Sequence, residues 1–413
     1  MPGRPLTLYA GQPKLRRVRR LTPRLLILAL AIAIPWLLLL AIGAKRVEWR
    51  ETVPPPPTKQ VVLTAQSDTA DGSYSYVILD GGFRVYDIEN GYALVKSVSF
   101  PDAAPLRTPR GVAADAAHDR LYASYLGRPG DGGFLVAYDL RRDRVAWRKT
   151  LPIDSFSLTT DGRKLYLPCG EGRADCDYWT VIDTETGNEL TRIPMHMSPH
   201  NTIATLDGER VYLASSHHDR LAVVDPRTDE IVEWIGPFRD SIRPFTVNRA
   251  DTLVFVTVDF LSGFEVARTD TGEKLFTVEV EGFPVAPDKF PTLPVTQSHG
   301  IALTPDEQEL WVADDVYDHI HVFDVRGLPD ERPRQIADIP LGTSPKWINF
   351  SRDGRHAHIS TGQIIDRRTR KVVALVEPSR HFVQIDWKDG EPVRAYSRYG
   401  LGYGSTSTDS AGG

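Results

Sequence analysis

Six copies of one hairpin pattern along 413 residues predict an all-β chain folded as a seven-bladed β-propeller. Three observations carry that reading. The first is the hairpin itself, typified by "QSHGIALTPDEQELWVADD" (297–315), where two alternating apolar runs flank a Pro-Asp turn. It recurs as "TPRGVAADAAHDRLYASY", "PIDSFSLTTDGRKLYLPC", "SPHNTIATLDGERVYLASS", "SIRPFTVNRADTLVFVTVD" and "SPKWINFSRDGRHAHIS". A third strand ending in an Asp turn follows, as in "YWTVIDTETG" and "LAVVDPRTDE". A fourth apolar strand comes next, as in "EIVEWIG".

The second observation is register. The residues just before the first strands are Arg110, Asp154, His200, Arg243, His299 and Lys346, with successive spacings of 44, 46, 43, 56 and 47. Twelve positions later stand Tyr122, Tyr166, Tyr212, Phe255, Trp311 and His358, which read as core positions. The turn between first and second strands carries Asp161-Gly162, Asp207-Gly208 and Asp353-Gly354, where glycine accepts the positive φ of a tight turn. The third observation is the two ends. "SRHFVQIDWKDGEPVRAY" supplies a first strand from His381 without a third and fourth of its own, whereas "YSYVILDGGFRVYDIENGYALVKSVSF" has later strands but no first. Joining them closes seven blades over 73–400. A different pairing of the short last unit would give six or eight.

What precedes the repeats is of another kind. Residues 25–43, "LLILALAIAIPWLLLLAIG", carry no charge and are long enough, as a helix, to cross a bilayer core. Residues 1–24 hold seven Lys/Arg and no Asp/Glu, so the positive-inside rule predicts a cytoplasmic N-terminus and an extracytoplasmic propeller. A cleaved signal peptide ending near "AIGA" is the alternative. The linker 44–72 contains four consecutive prolines, a stiff extended spacer, and 401–413 reads as a disordered tail. The formal charge is −5 overall and +7 in residues 1–24, which leaves −12 for the rest. An acidic body of this kind excludes nucleic acid as its main partner.

With the units "DGxxLYLxx…xxxVIDxxTxxxxxxIP" in view, the chain from about 73 to 396 resembles the YVTN-repeat, lactonase-like seven-bladed propellers. The resemblance implies the fold. It does not choose a function, because that group includes binding proteins, lactone hydrolases and non-catalytic oxidoreductase subunits. The lactone-hydrolase members hold calcium with Glu, Asn and Asp around the channel, a set that this chain does not repeat.

In a propeller the residue before each inner strand rims one mouth of the central channel. Here that ring is Arg110, Asp154, His200, Arg243, His299, Lys346 and His381, all ionisable. The loops between second and third strands open on the same face and bring His217, His218, Asp314 and His319 as further candidates. The long connection 283–297 is expected over that mouth, since long ordered loops are commonly functional. Arginine forks suit carboxylate or phosphate, so an anionic or carbonyl-bearing small molecule is the expected ligand. A partner protein at the same mouth is the other binding reading.

His200, His299 and His381 are the candidate catalytic groups, as acid or base, in a hydrolase, lyase or isomerase. The same three imidazoles could hold a divalent metal, although Arg110, Arg243 and Lys346 would repel one. No G-x-S-x-G, P-loop or dinucleotide fingerprint occurs. Cys169 and Cys176 are expected to form one local disulfide at a hairpin tip. His356 and His358 read as packed side chains.

Overall fold

Strand pairing in the computed structural model gives seven antiparallel sheets. The described residues are 71–100, 108–126, 132–151, 159–170, 176–195, 198–286, 297–396 and 402–404. All lie in one unit, Leu63–Gly413; the other unit, Met1–Val62, is outside them, and with it the apolar segment 25–43.

Six sheets are four-stranded meanders in simple order. Their inner strands are Pro109–Asp115 (blade 2), Thr159–Thr160 (blade 3), Pro199–Ala204 (blade 4), Ile242–Val247 (blade 5), Ser298–Leu303 (blade 6) and Ile348–Phe350 (blade 7). Blade 1 joins both ends of the chain. Phe382–Lys388 pairs antiparallel with Gly72–Leu79, placing Tyr74 opposite Ile385 and Val77 opposite Phe382. Gly82–Asp87 and Ala93–Ser99 complete it outward. Seven blades thus close as the repeat register predicts, and the six- and eight-blade alternatives fall.

The turn chemistry is equally regular. Gly162, Gly208 and Gly354 have φ of 88°, 70° and 69°, and the equivalent Asp251, Glu307 and Asp389 take 53°, 57° and 54°. The backbone needs the left-handed region at this position in every one of these blades, and Asp-Gly is its cheapest solution. The ring positions twelve residues on are buried, and they stitch blade to blade. Tyr212 of blade 4 donates to Asp251 of blade 5 (2.5 Å), and the Trp311 ring meets Phe350 of blade 7 edge-on at 5.2 Å.

One feature was not legible. Phe382–Lys388 also pairs on its other edge, with Glu391–Tyr396, which in turn pairs with Gly402–Gly404. In the other blades that edge faces the channel. The charges acting on the Tyr396 hydroxyl include Arg249, Glu307 and Arg352, from the inner turns of blades 5, 6 and 7. The extra strand therefore reaches the channel at the end away from His381.

Candidate functional site

The inner strands are not regular where they begin. Pairing slips by a bulge between Pro109 and Gly111, Pro199 and Asn201, Ile242 and Phe245, and Ser298 and Ile301. The bulged positions hold Arg110, His200, Arg243 and His299. A bulge inserts an unpaired residue and re-aims its side chain, so four of the seven rim residues owe their direction to one repeated irregularity. Together with His381 they line a cavity of about 660 Å³ at the mouth. Of the other two, Asp154 lies outside the described residues, and Lys346 is turned to Asp315 (2.5 Å) rather than to the cavity.

His299 is the most defined of the group. Its Nδ1 is 3.1 Å from the Lys346 carbonyl oxygen, which can only accept, so Nδ1 carries the proton. The strand approach that brings this carbonyl close depends on Gly300, where a Cβ would overlap the same oxygen. The Trp347 ring meets the imidazole edge-on at 4.9 Å. Desolvation first, then the charges of Lys346, His200 and Arg243, hold the His299 pKa well below its ordinary value. The ring is therefore neutral at pH 7. Its Nε2 makes no hydrogen bond among the described residues and is left as an acceptor for what enters the cavity.

The cations are arranged with equal care. Arg243 is clamped by the buried Asp259 through two bonds of 2.8 and 2.9 Å. Asp315, pushed up by burial, is drawn back by Lys346. Arg380, one residue before the rim position, also lines the cavity. Desolvation and then the charge of Arg110 lower its pKa. Asp315 acts the other way on Arg380, and Arg110 of blade 2 and Arg380 of blade 1 both line the cavity. Asp80 is the one carboxylate among the described lining residues. Arg380 and Asp80 escaped the sequence reading because they fall outside the repeat register.

The loop candidates are elsewhere. Asp314 is fully buried, and burial alone would raise its carboxyl; bonds from His321, the Tyr317 and Val316 amides and Gln297 outweigh that and hold it low. It is a turn-forming group. His319 stacks beside His321 and Phe283, with Nδ1 donating to the Tyr317 carbonyl (2.5 Å). His218 packs on Trp234 of the outer strand at 5.0 Å and accepts from the Arg220 amide, while His217 is exposed. None of these four lines the cavity. The loops do open on the predicted face, but His218 and His319 turn onto the aromatic rings of Trp234 and Phe283, Asp314 is taken up by its own turn and His217 is exposed.

Among the described residues no group of three or more His, Cys, Asp or Glu is placed to hold an ion. His200 instead accepts from the Asn201 side-chain amide at Nδ1 (2.5 Å). Cys169 and Cys176 form a buried disulfide with a Cα separation of 5.5 Å. Of the long connection, residues 287–296 lie outside the described residues; its base is held by Gln297, which bonds Ser262, Asp314 and the Ala286 amide.

No protein-family model matches this chain, and no curated protein matches it. Solved structures do. A putative 6-phosphogluconolactonase from Bacteroides fragilis superposes with a TM-score of 0.60 at 16% identity, covering 77% of this chain and 99% of that one. One from Bacteroides uniformis gives 0.59 at 14%, covering 75% and 98%. Hydrazine synthase from Kuenenia stuttgartiensis gives 0.54 at 15%, covering 73% and 90%. The likeness is one of fold: the chain is a seven-bladed β-propeller.

Proposed function

We propose that the mouth lined by Arg110, Arg243, Arg380, His200, His299 and His381 binds a small organic anion. The observation that carries this is a 660 Å³ cavity lined by Arg110, Arg243 and Arg380, with a single carboxylate, Asp80, among its described lining residues. Like charges held together in a concave, partly desolvated site favour a ligand that neutralises them. The test is thermal stability with millimolar phosphate, sulfate or acetate against chloride of equal ionic strength, since a ligand that binds only the folded state raises the midpoint. Arg110→Gln/Arg380→Gln should abolish the rise. An unchanged rise in that double variant refutes the site.

A second reading, catalysis at a carbonyl of that anion, is favoured by His299 alone. A neutral imidazole with Nδ1–H fixed on a backbone carbonyl is set to take a proton at Nε2. Water would lose its proton to Nε2, and the hydroxide formed would add to the carbonyl carbon. The oxyanion would then meet a guanidinium, and the imidazolium would return its proton to the leaving oxygen. The names of the two Bacteroides structures are compatible with such a hydrolysis. Turnover of simple lactones that is lost in His299→Gln would establish it; binding without turnover leaves the first reading.

We further propose one membrane crossing at residues 25–43, with the propeller extracytoplasmic. The basic segment before it and the Cys169–Cys176 disulfide, a bond of oxidising compartments, both support this.

A further inference from the structure

We propose that the anion accepted at this mouth carries, away from its charged head, a neutral O–H or N–H group that it donates to Nε2 of His299. This rests on the anion-site reading above and names the second group that the ligand bears.

The order of the ring sets the geometry. Packed cores join blade 2 to blade 1, blade 1 to blade 7 and blade 7 to blade 6. Along that arc Arg110, Arg380, Trp347 and His299 all line the one cavity, while Lys346 of blade 7 is turned to Asp315. Blade 7, with its indole, thus stands between the guanidiniums of blades 2 and 1 and the imidazole of blade 6. A ligand whose head is held by Arg110 and Arg380 extends over Trp347 towards His299.

What it meets there is an acceptor. The Lys346 carbonyl takes the Nδ1 proton at 3.1 Å, so the neutral ring keeps its lone pair on Nε2. That atom has no hydrogen-bond partner among the described residues, and it is not one of their buried unpaired polar atoms, so it is open to the cavity. The edge-on contact with Trp347 at 4.9 Å and the bond to Lys346 both hold the ring in this orientation.

Three kinds of ligand end can be compared at this point. A carboxylate sets its lone pairs against that of Nε2 unless the ring takes up a proton, which desolvation and the neighbouring cations oppose. An ether or methyl end covers the acceptor and leaves it without a partner, a loss that sites built for a hydrogen bond discriminate against strongly. A hydroxyl or amide N–H meets the atom as it stands. Asp80, the one carboxylate of the described lining, follows the blade 1 strand Gly72–Leu79 and so belongs to the side of the charged head.

The test is calorimetry on the full-length chain at pH 7 with three matched series of four, six and eight carbons. These are the ω-hydroxy acids, their methyl ethers, and the dicarboxylates succinate, adipate and suberate. We expect the hydroxy acid of at least one length to bind about fivefold or more tighter than both its ether and its dicarboxylate. Nitrogen NMR of the wild type should show the His299 Nε2 signal moving to its hydrogen-bonded position with that hydroxy acid and not with its ether. His299→Phe should bring the hydroxy acid down to the affinity of the ether, with folding checked by thermal midpoint. Arg110→Gln/Arg380→Gln should weaken all three series. Ethers or dicarboxylates that match the hydroxy acids at every length overturn this inference and leave the anion site standing. A hydroxyl preference that persists in His299→Phe, or an Nε2 signal that the hydroxy acid does not move, has the same effect. Binding of no anion overturns the anion site itself and this inference with it.

Discussion

His358 ties blade 7 to blade 1, and its buried state makes ring closure sensitive to acid. Its Nε2 lies 2.9 Å from the Tyr92 hydroxyl and its Nδ1 3.3 Å from the Ser75 hydroxyl, with Phe382 stacked at 5.6 Å. Tyr92, Ser75 and Phe382 all belong to blade 1, the sheet that joins the two ends. Burial first, then the neighbouring His356, lowers the His358 pKa to about 3, with Asp353 acting weakly the other way. The unfolded chain takes up this proton near pH 6.5 and the folded one does not, so stability is full above about pH 6.5 and falls as pH drops towards 3. At pH 4.5 the gap of two units from the unfolded value costs roughly 3 kcal/mol. The assay is urea denaturation at pH 7.0 and 4.5 for the wild type and for His358→Gln, which cannot take up the proton. The variant starts lower at pH 7 because the packing is altered, but its further loss on acidification should be smaller than that of the wild type by roughly 3 kcal/mol. Equal losses in both proteins would refute the reasoning. So would an NMR titration of His358 with a midpoint above 6.

Four further outcomes are expected. His299→Ala should lower stability by about 1–2 kcal/mol, the cost of one hydrogen bond and a ring contact, while ligand binding or turnover falls by a large factor; a variant that unfolds, or that keeps full binding, contradicts the assignment. Trp311→Ala should do the reverse, costing roughly 3–5 kcal/mol through the cavity left in a fully buried site, with affinity at the mouth retained in the folded fraction. Removing residues 381–413 strips Phe382–Lys388 from blade 1 and leaves the edge of Gly72–Leu79 unpaired, so soluble yield should collapse. Protease added to spheroplasts should digest the propeller if residues 25–43 cross the membrane as proposed, and protection until lysis would exclude that topology.

The fold was legible because the chain states its rule six times. One left-handed turn position, one buried ring and one rim residue recur at fixed offsets, and each offset has a steric cause. The site was half legible for the same reason: the register finds Arg110, His200, Arg243, His299 and His381. What a single chain position cannot show is where a side chain turns. His218 and His319 sit in loops on the predicted face, yet Trp234 and Phe283 take their rings outward. Lys346 is in register but answers to Asp315, and Asp314 is absorbed by its own turn. Arg380 is the reverse case, a residue out of register that the adjoining blade 1 strand carries to the mouth. The bulges at the strand starts leave no mark in the alternation that a reader of the sequence could use.

Strand polarity in blade 1 has a practical corollary. Gly72–Leu79 begins beside Trp387 and ends at Leu79 and Asp80 on the mouth, and the Asp389 amide reaches back to Asp71. The polypeptide therefore enters the barrel of blades from the pole opposite the opening. A bead or fluorophore joined directly to Asp71, in a chain that starts there, is held at that far pole and leaves the entrance clear for solutes.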